Sequence, residues 1–370
     1  MLNRDKLFKD LSQVTSSFVK DFAQGQELAL ALWSAMLGDP DYKQKIEQMR
    51  SSYQIPSWSG TLDTAISVPK ECGDYTILSV DGSQIYPDRH QGFECSLINI
   101  GTVLIRYGST SSVSLDSVPS VLFKDSLFES DMSPEAINCY RSEEELTVAL
   151  AASEKVRHEN PLLLFDGSLI MWHLEGKEKK SKHYFLSRSL ELMNKLYDMK
   201  ILHAGYISLP KSKELVNIIR RAGEMGMYMS LNAHLSSLDT IVDTGITHFF
   251  LAPHARTIVF KNQSALVDAY PQHIRPHFFY LNNGYEIVRI EIPAWIAEDN
   301  NLVDRIAILS LDQAIKGNGY PVCLSEAHEQ AVVKNADRDF FYDLMYRLSY
   351  QYGYAYPMSQ KSLKKKMNDI

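Results

Sequence analysis

The sequence predicts an α/β fold in which a mixed sheet is flanked by helices, with a helical appendage at the N-terminus. Three observations predict it. Two short apolar runs each end in the same tripeptide, Asp81-Gly82-Ser83 and Asp166-Gly167-Ser168. Three strand-like stretches precede the first long helix of the middle region, and strands and helices alternate after it. The first fifty or so residues carry apolar positions at helical spacing instead.

In that N-terminal region Leu7, Leu11, Val14 and Phe18 recur on one helical face, and a second apolar run covers Leu28 to Leu37. Asp39-Pro40 interrupts the pattern, and the stretch from Ile55-Pro56-Ser57 to Gly60 reads as a linker. Tyr75 to Val80 (YTILSV) reads as a buried strand that ends in a turn at Asp81. Phe93 to Ile100 and Thr102 to Tyr107 read as two further strands hinged at Gly101, and Ser109 to Ser117 as a loop or edge strand.

Pro134 to His158 is a strong helix signal: Ser133 suits the N-cap, Pro134 the first helical position, and Glu135 the positive end of the dipole. Pro161 to Phe165 (PLLLF) is the second buried strand. A Lys-rich loop, Gly176 to Lys182, leads to a helix at Tyr184 to Tyr197. Ile201 to Leu209 is then strand-like and Lys213 to Ala222 helical. Three sequential strands can pair antiparallel through short turns, whereas the later alternation requires parallel crossovers. That order is the ribonuclease H-like one. Farther on, Phe278 to Leu281 and Glu286 to Ile292 form a strand pair around Asn282-Asn283-Gly284. A helix covers Leu302 to Lys316. A short strand follows Gly319-Tyr320-Pro321, and helices run from Glu326 onward.

With 370 residues, 45% apolar and 22% charged, the chain can bury a well-filled core. Its formal net charge of -7 gives no global attraction to nucleic acid, so a DNA-binding reading needs local basic patches, bound cations or a partner. Cys72, Cys95, Cys139 and Cys323 form no C-x-x-C pair, which argues against a disulfide framework or a zinc site and fits a reducing cytoplasm. The N-terminus lacks the apolar core of a signal peptide, and LALALWSAML is too short to span a bilayer. The protein is expected to be cytoplasmic.

Chemistry centres on the repeated tripeptide. A carboxylate at the end of an apolar strand is partly desolvated and needs a cation or donors to stay ionised. Two of them on neighbouring strands would repel unless a divalent metal lies between them. The glycines would let a phosphate backbone approach, and the serines would bind phosphate or fix the turn. One Asp-Gly is merely a good turn former; two, at related strand ends, point to a site. One of Glu143, Glu144 and Glu145 on the intervening helix could add a further oxygen ligand, and periodicity does not select which. His328, read as lying near a helix start, could bind metal, orient water or protonate a leaving oxygen, against the plainer reading of a capping histidine. Arg89, Lys211, Lys213, Arg256, Lys261 and Lys334 are candidate phosphate contacts or ordinary surface charge, and the tail carries Lys361 and Lys364 to Lys366. His254 shares an apolar context with Arg256, and His173 and His203 read as structural. There is no G-x-x-x-x-G-K-[ST] loop, G-x-G-x-x-G turn, G-x-S-x-G elbow or H-E-x-x-H pair.

The stretches Val80 to Gly92 (VDGSQIYPDRHQG), Leu164 to Ile170 (LFDGSLI), Gly205 to Leu215 (GYISLPKSKEL), Gly319 to Val322 (GYPV) and Glu326 to Ala331 (EAHEQA) together resemble the NurA nuclease family, more closely its bacterial branch. The resemblance runs from about Tyr75 to the C-terminal helices. It leaves residues 1–60 as a helical segment with a linker and makes 61–370 the nuclease domain. It implies a ribonuclease H-like fold, a homodimer, and manganese- or magnesium-dependent cutting of DNA in double-strand break repair. The partner it implies is a HerA-type hexameric ATPase. Residue by residue, the first metal aspartate matches Asp81 and the second Asp166. The helical glutamate best matches Glu145 after Arg141, with Glu144 as the alternative, and the C-terminal tyrosine and histidine match Tyr320 and His328. The competing readings are a non-catalytic DNA-binding adaptor of a translocase and an actin-like phosphotransferase.

Overall fold

The structure is a computed structural model, and it describes residues 2–48, 52–70, 73–88, 91–224 and 235–353. Cys72, Arg89, Lys361 and Lys364 to Lys366 lie outside the described residues, as does the side chain of Phe18. The strands are β1 (Ser57–Trp58), β2 (Ala65–Ser67), β3 (Tyr75–Ile85), β4 (Cys95–Tyr107), β5 (Ser112–Phe123), β6 (Leu162–Asp166), β7 (Leu202–Ile207), β8 (Ala255–Thr257), β9 (Phe260–Lys261), β10 (Pro276–Asn282) and β11 (Ile287–Pro293). The helices are α1 (Arg4–Leu37), α2 (Tyr42–Gln48), α3 (Pro134–Lys155), α4 (Lys179–Asp198), α5 (Glu214–Glu224), α6 (Asp243–Thr247), α7 (Ala294–Ala297), α8 (Asn300–Lys316), α9 (Val322–Ala331) and α10 (Asn335–Gln351).

By contact the chain forms two compact units. One joins Met1–Lys70 to Tyr206–Gly319, and the other joins Glu71–Gly205 to Tyr320–Ile370. The second unit holds both Asp-Gly-Ser segments. Its strands β3, β4 and β5 form an antiparallel meander, and β6 adds to β3 in parallel, with Ile77 opposite Leu162 and Val80 opposite Phe165. This is the mixed pairing the strand order requires. Ile77, Leu78, Val80, Ile98, Ile100, Val103, Leu162, Leu163 and Leu164 are buried, so the central strands are apolar on both faces. Helices cover them: α3 packs on β3, and α9 packs on β3 and β4.

Four sequence expectations are corrected in this unit. First, β3 does not stop at Asp81. It continues to Ile85, because Gly82 to Ile85 go on pairing with Leu97 to Ile100 of β4, and that pairing overrides the turn preference of Asp-Gly. Second, β4 is one unbroken strand through Gly101. A Cβ there would fall 2.5 Å from Ala327 O and 2.5 Å from Ala331 N, so the glycine makes room for α9 and is not a hinge. Third, no strand follows Pro321. Helix α9 begins at Val322, which places His328 in its second half. The Lys-rich stretch is also partly helical, since α4 starts at Lys179. Strand β5 is exposed along most of its length and, among the described residues, pairs only with β4.

In the first unit β10 and β11 are antiparallel, with Leu281 opposite Val288. β9 and β8 pair with β10, β1 with β9, and β2 with β8. The end of α1 packs inside this unit: Leu28, Leu32, Trp33 and Met36 share a cluster with Leu215, Ile219 and Ile241, and Trp33 stacks on Phe250 at 5.9 Å. Asp243 accepts the Leu215 and Val216 N–H groups at 2.9 and 3.0 Å and the Tyr280 hydroxyl at 2.7 Å, which caps α5 from another element. Among the described residues no helix is long and apolar enough to cross a membrane. Cys95, Cys139 and Cys323 are buried free thiols, and burial pushes Cys323 up to about 12.

Candidate active site

The carboxylates of the two tripeptides come together through the parallel pairing of β3 with β6, which sets Asp81 one residue beyond the last paired residue, Val80, and Asp166 one beyond its partner, Phe165. The two tripeptides then diverge. Asp81-Gly82-Ser83 stays in β3, whereas β6 ends at Asp166 and the chain turns at Gly167, where φ is 119°. The Gly82 N–H donates to Asp81 Oδ1 at 2.8 Å. On the α9 side, His328 Nδ1 lies 2.8 Å from Asp81 Oδ2, and the imidazole is 62% exposed. Ser83 Oγ donates to Ala331 O at 2.5 Å and Asn99 Nδ2 to the same oxygen at 2.9 Å, so β3 and β4 together hold the end of the helix that carries His328.

Side chains two apart on a strand share a face. Asp81 and Ser83 therefore meet α9, while Gly82 and Gln84 face α3. There the Glu145 carboxylate lies over the Gly82 backbone and receives its N–H, and it forms an ion pair with Arg141 Nε at 3.2 Å. Arg141 Nη1 also donates to Gln84 Oε1 at 3.0 Å. Glu143, by contrast, is buried against Arg188 of α4, and so it is Glu145 that faces Asp81 and Asp166. Asp166 accepts a hydrogen bond from Tyr320. The structure thus gathers Asp81, Glu145, Asp166, Tyr320 and His328 in one place.

The electrostatics are those of crowded acids. Burial, followed by the nearby charges of Asp81 and Asp166, raises Glu145 to about 7 against the opposing pull of Arg141. Burial and then Asp81 raise Asp166, while the Tyr320 hydrogen bond and the His328 charge pull it down. Three carboxyl groups supply the oxygen donors a hard divalent cation takes, and their mutual repulsion is what such an ion would relieve. As they lie, each is engaged by a protein partner, and among the described residues no three His, Cys, Asp or Glu side chains stand as a ready-made cage.

The other candidates fall elsewhere. Lys211, Lys213, Arg256 and Lys261 belong to the first unit. Arg256, 4% exposed, is committed to Asp304, and Lys213 donates to Asp239 O. His254 takes a positive φ of 60° and pairs its backbone with Asn282 and Val68. His203 is buried and hydrogen-bonded to Ile201 O. Lys334 lies in the second unit, at the start of α10. Ser168 accepts the Ile170 N–H and fixes the turn after Asp166. Sequence reasoning missed Gln84 and Asn99. Gln84 stands within the quoted motif, but only the folded chain shows that it meets Arg141.

With this geometry in place, comparison with known proteins gives the family. The NurA domain matches residues 75–333, which includes all five gathered residues. The chain belongs to the NurA family. Its fold is similar to the NurA nuclease from Sulfolobus solfataricus, with a TM-score of 0.54 at 13% identity, covering 95% of this chain and 98% of that one. A second NurA structure matches with a TM-score of 0.44 at 11% identity, over 90% of this chain and 96% of that one. No curated protein matches. This NurA chain is therefore a mixed α/β protein of a nuclease family, with its acidic cluster inside the matched segment.

Proposed function

We propose that this NurA chain is a metal-dependent deoxyribonuclease that cuts single-stranded DNA at the Asp81–Asp166 cluster, on a ribonuclease H-like core. The observation that carries the proposal is the gathering of three carboxylates and a histidine at the ends of two parallel strands, with Glu145 raised to about 7 by its surroundings. Asp81, Glu145 and Asp166, with His328, would hold Mn²⁺ or Mg²⁺. Bound there, the metal would lower the pKa of an attacking water and stabilise the leaving 3′ oxygen.

The chain's own groups have separable tasks. Tyr320 holds Asp166 in place through its hydroxyl. With Nδ1 beside Asp81, His328 has Nε2 left either as a ligand to the metal or, unligated, to take a proton from water or return it to the leaving oxygen. In the net reaction the water oxygen bonds to phosphorus, the P–O3′ bond breaks, and one proton ends on the released hydroxyl. Family membership supports a wider reading: a homodimer working with a HerA-type hexameric ATPase at double-strand break ends. A partner motor that threads DNA would offset the net charge of -7.

The test is cleavage of end-labelled single- and double-stranded DNA with Mn²⁺, Mg²⁺ or EDTA, beside Asp81→Ala, with and without the ATPase. Cleavage that requires both metal and Asp81 is expected. Full cleavage by Asp81→Ala, in a preparation free of contaminating nuclease, would overturn the reading.

A further inference from the structure

Within the second unit a groove of about 470 Å³ is lined by Gln84, Tyr86 and Asp88 on one side and Val333, Asn335 and Arg338 on the other, and Arg141 links its Gln84 to Glu145 of the carboxylate cluster. We propose that this groove is a subsite for one unpaired base of the strand being cut, with Tyr86 as the stacking surface and Gln84 and Asn335 facing the base edge. The proposal rests on the nuclease reading above and adds to it where the substrate lies.

Position is the first argument. Gln84 follows Asp81 by three residues on β3, roughly 10 Å at the usual strand rise. Val333 follows His328 by five residues in the chain. A strand whose phosphate sits at the carboxylates therefore has its neighbouring nucleotide within reach of the groove. Arg141 joins the two places, because its guanidinium touches both Gln84 and Glu145.

The lining is the second argument. Gln84 Nε2 donates to the Tyr86 hydroxyl at 2.8 Å, and that hydroxyl donates to Asn138 Oδ1 at 2.7 Å. Both side chains are thereby fixed before any ligand arrives, which lowers the ordering cost of binding. Asn335 is exposed, and its amide makes no hydrogen bond among the described residues, so it is free to meet a base edge. Asp88, the carboxylate that lines the groove, is paired with Arg338 at 3.1 Å and so repels a phosphate less.

The ligand class follows from these features. The volume suits a nucleotide-sized ligand. Aromatic stacking with amide donors and acceptors is how proteins hold bases that are already out of a duplex. A paired, stacked base could not enter without being unpaired first.

The experiment is binding of a labelled single-stranded oligonucleotide in EDTA to the wild type, Tyr86→Ala, Tyr86→Phe and Asn335→Ala. Cleavage of strands carrying one abasic position, walked past the cut site, accompanies it. Tyr86→Ala should weaken binding roughly tenfold or more. Tyr86→Phe, which keeps the ring and loses the bond to Asn138, should bind like the wild type. Asn335→Ala, at an exposed position, should weaken binding with the fold intact, and it decides the matter if Tyr86→Ala fails to fold. One abasic position should slow the wild type and leave Tyr86→Ala unchanged. Wild-type affinity in both alanine variants, or indifference to every abasic position while cleavage persists, would overturn the groove and leave the nuclease reading standing. Base-dependent binding with no cleavage under any metal would do the reverse.

Discussion

The Glu145 carboxylate fills the space that a side chain at position 82 would occupy: a Cβ on Gly82 would fall 2.5 Å from Glu145 Oε1 and 2.8 Å from Arg141 Cγ. The glycine of the first Asp-Gly-Ser is therefore there to admit a protein side chain, not to clear a path for phosphate. Gly82→Ala should displace Glu145 and Arg141. Overpacking of this kind costs about 1–3 kcal/mol, measurable by urea unfolding, and metal-dependent cleavage should fall much further than the stability loss explains. An alanine variant that cleaves at the wild-type rate would show that Glu145 need not stand where it does.

Tyr320 donates its hydroxyl to Asp166. Removing a group that orients a metal-binding carboxylate typically lowers metal affinity or activity by about 10–100-fold. Tyr320→Phe should lose activity in that range with an unchanged melting temperature, and raising the Mn²⁺ concentration should restore part of it. A Tyr320→Phe enzyme with normal metal dependence would place the hydroxyl outside the site's work.

Glu145 supplies a pH test. Its folded pKa, about 7, lies above the ordinary value of 4.5, so the folded state holds the extra proton between those values. This group's contribution to stability is fully present below about pH 4.5 and is lost as pH rises through 7. A divalent cation competes with that proton. Added Mn²⁺ should therefore raise the melting temperature more at pH 8 than at pH 5, and Glu145→Gln should reduce the difference. Equal stabilisation at both pH values would separate metal binding from this carboxyl.

The sequence showed the order of elements and the two strand-end aspartates well, because both rest on local patterns: apolar runs, caps and turn residues. It could not show that β3 runs on past Asp81, since that depends on pairing Ser83 with Asn99 and Ile85 with Leu97. Nor could periodicity separate Glu143 from Glu145. Arg188, some forty positions later, claims Glu143 and leaves Glu145 to the site. Asp81 and His328 stand 247 positions apart, and only the packing of α9 against Gly101 makes them neighbours.

His203 acts in the opposite sense to Glu145. Burial depresses it to about 4 from the usual 6.5, with its bond to Ile201 O pulling slightly the other way. The unfolded chain binds the proton more readily between those values. The stability from this site is therefore complete above about pH 6.5 and is lost as pH falls toward 4, by about 3 kcal/mol at 1.36 kcal/mol per unit. A His203→Gln variant, compared with the wild type by urea unfolding from pH 4 to 7, should show a flatter profile at the acid end. Parallel profiles would mean that the imidazole titrates normally in the folded protein.

The chain leaves the second unit at Gly205 and returns to it at Tyr320, after the whole of the first unit's larger segment. On the ribosome, then, Asp81, Glu145 and Asp166 emerge early, and the two groups that address them, Tyr320 and His328, come more than a hundred codons later. A polypeptide released between Asp166 and Tyr320 has the three acids but neither the hydroxyl nor the imidazole. On the proposed nuclease reading, the order of synthesis by itself keeps copies that stop in that interval inert, and a stop codon just before Tyr320 is as disabling as one near the start.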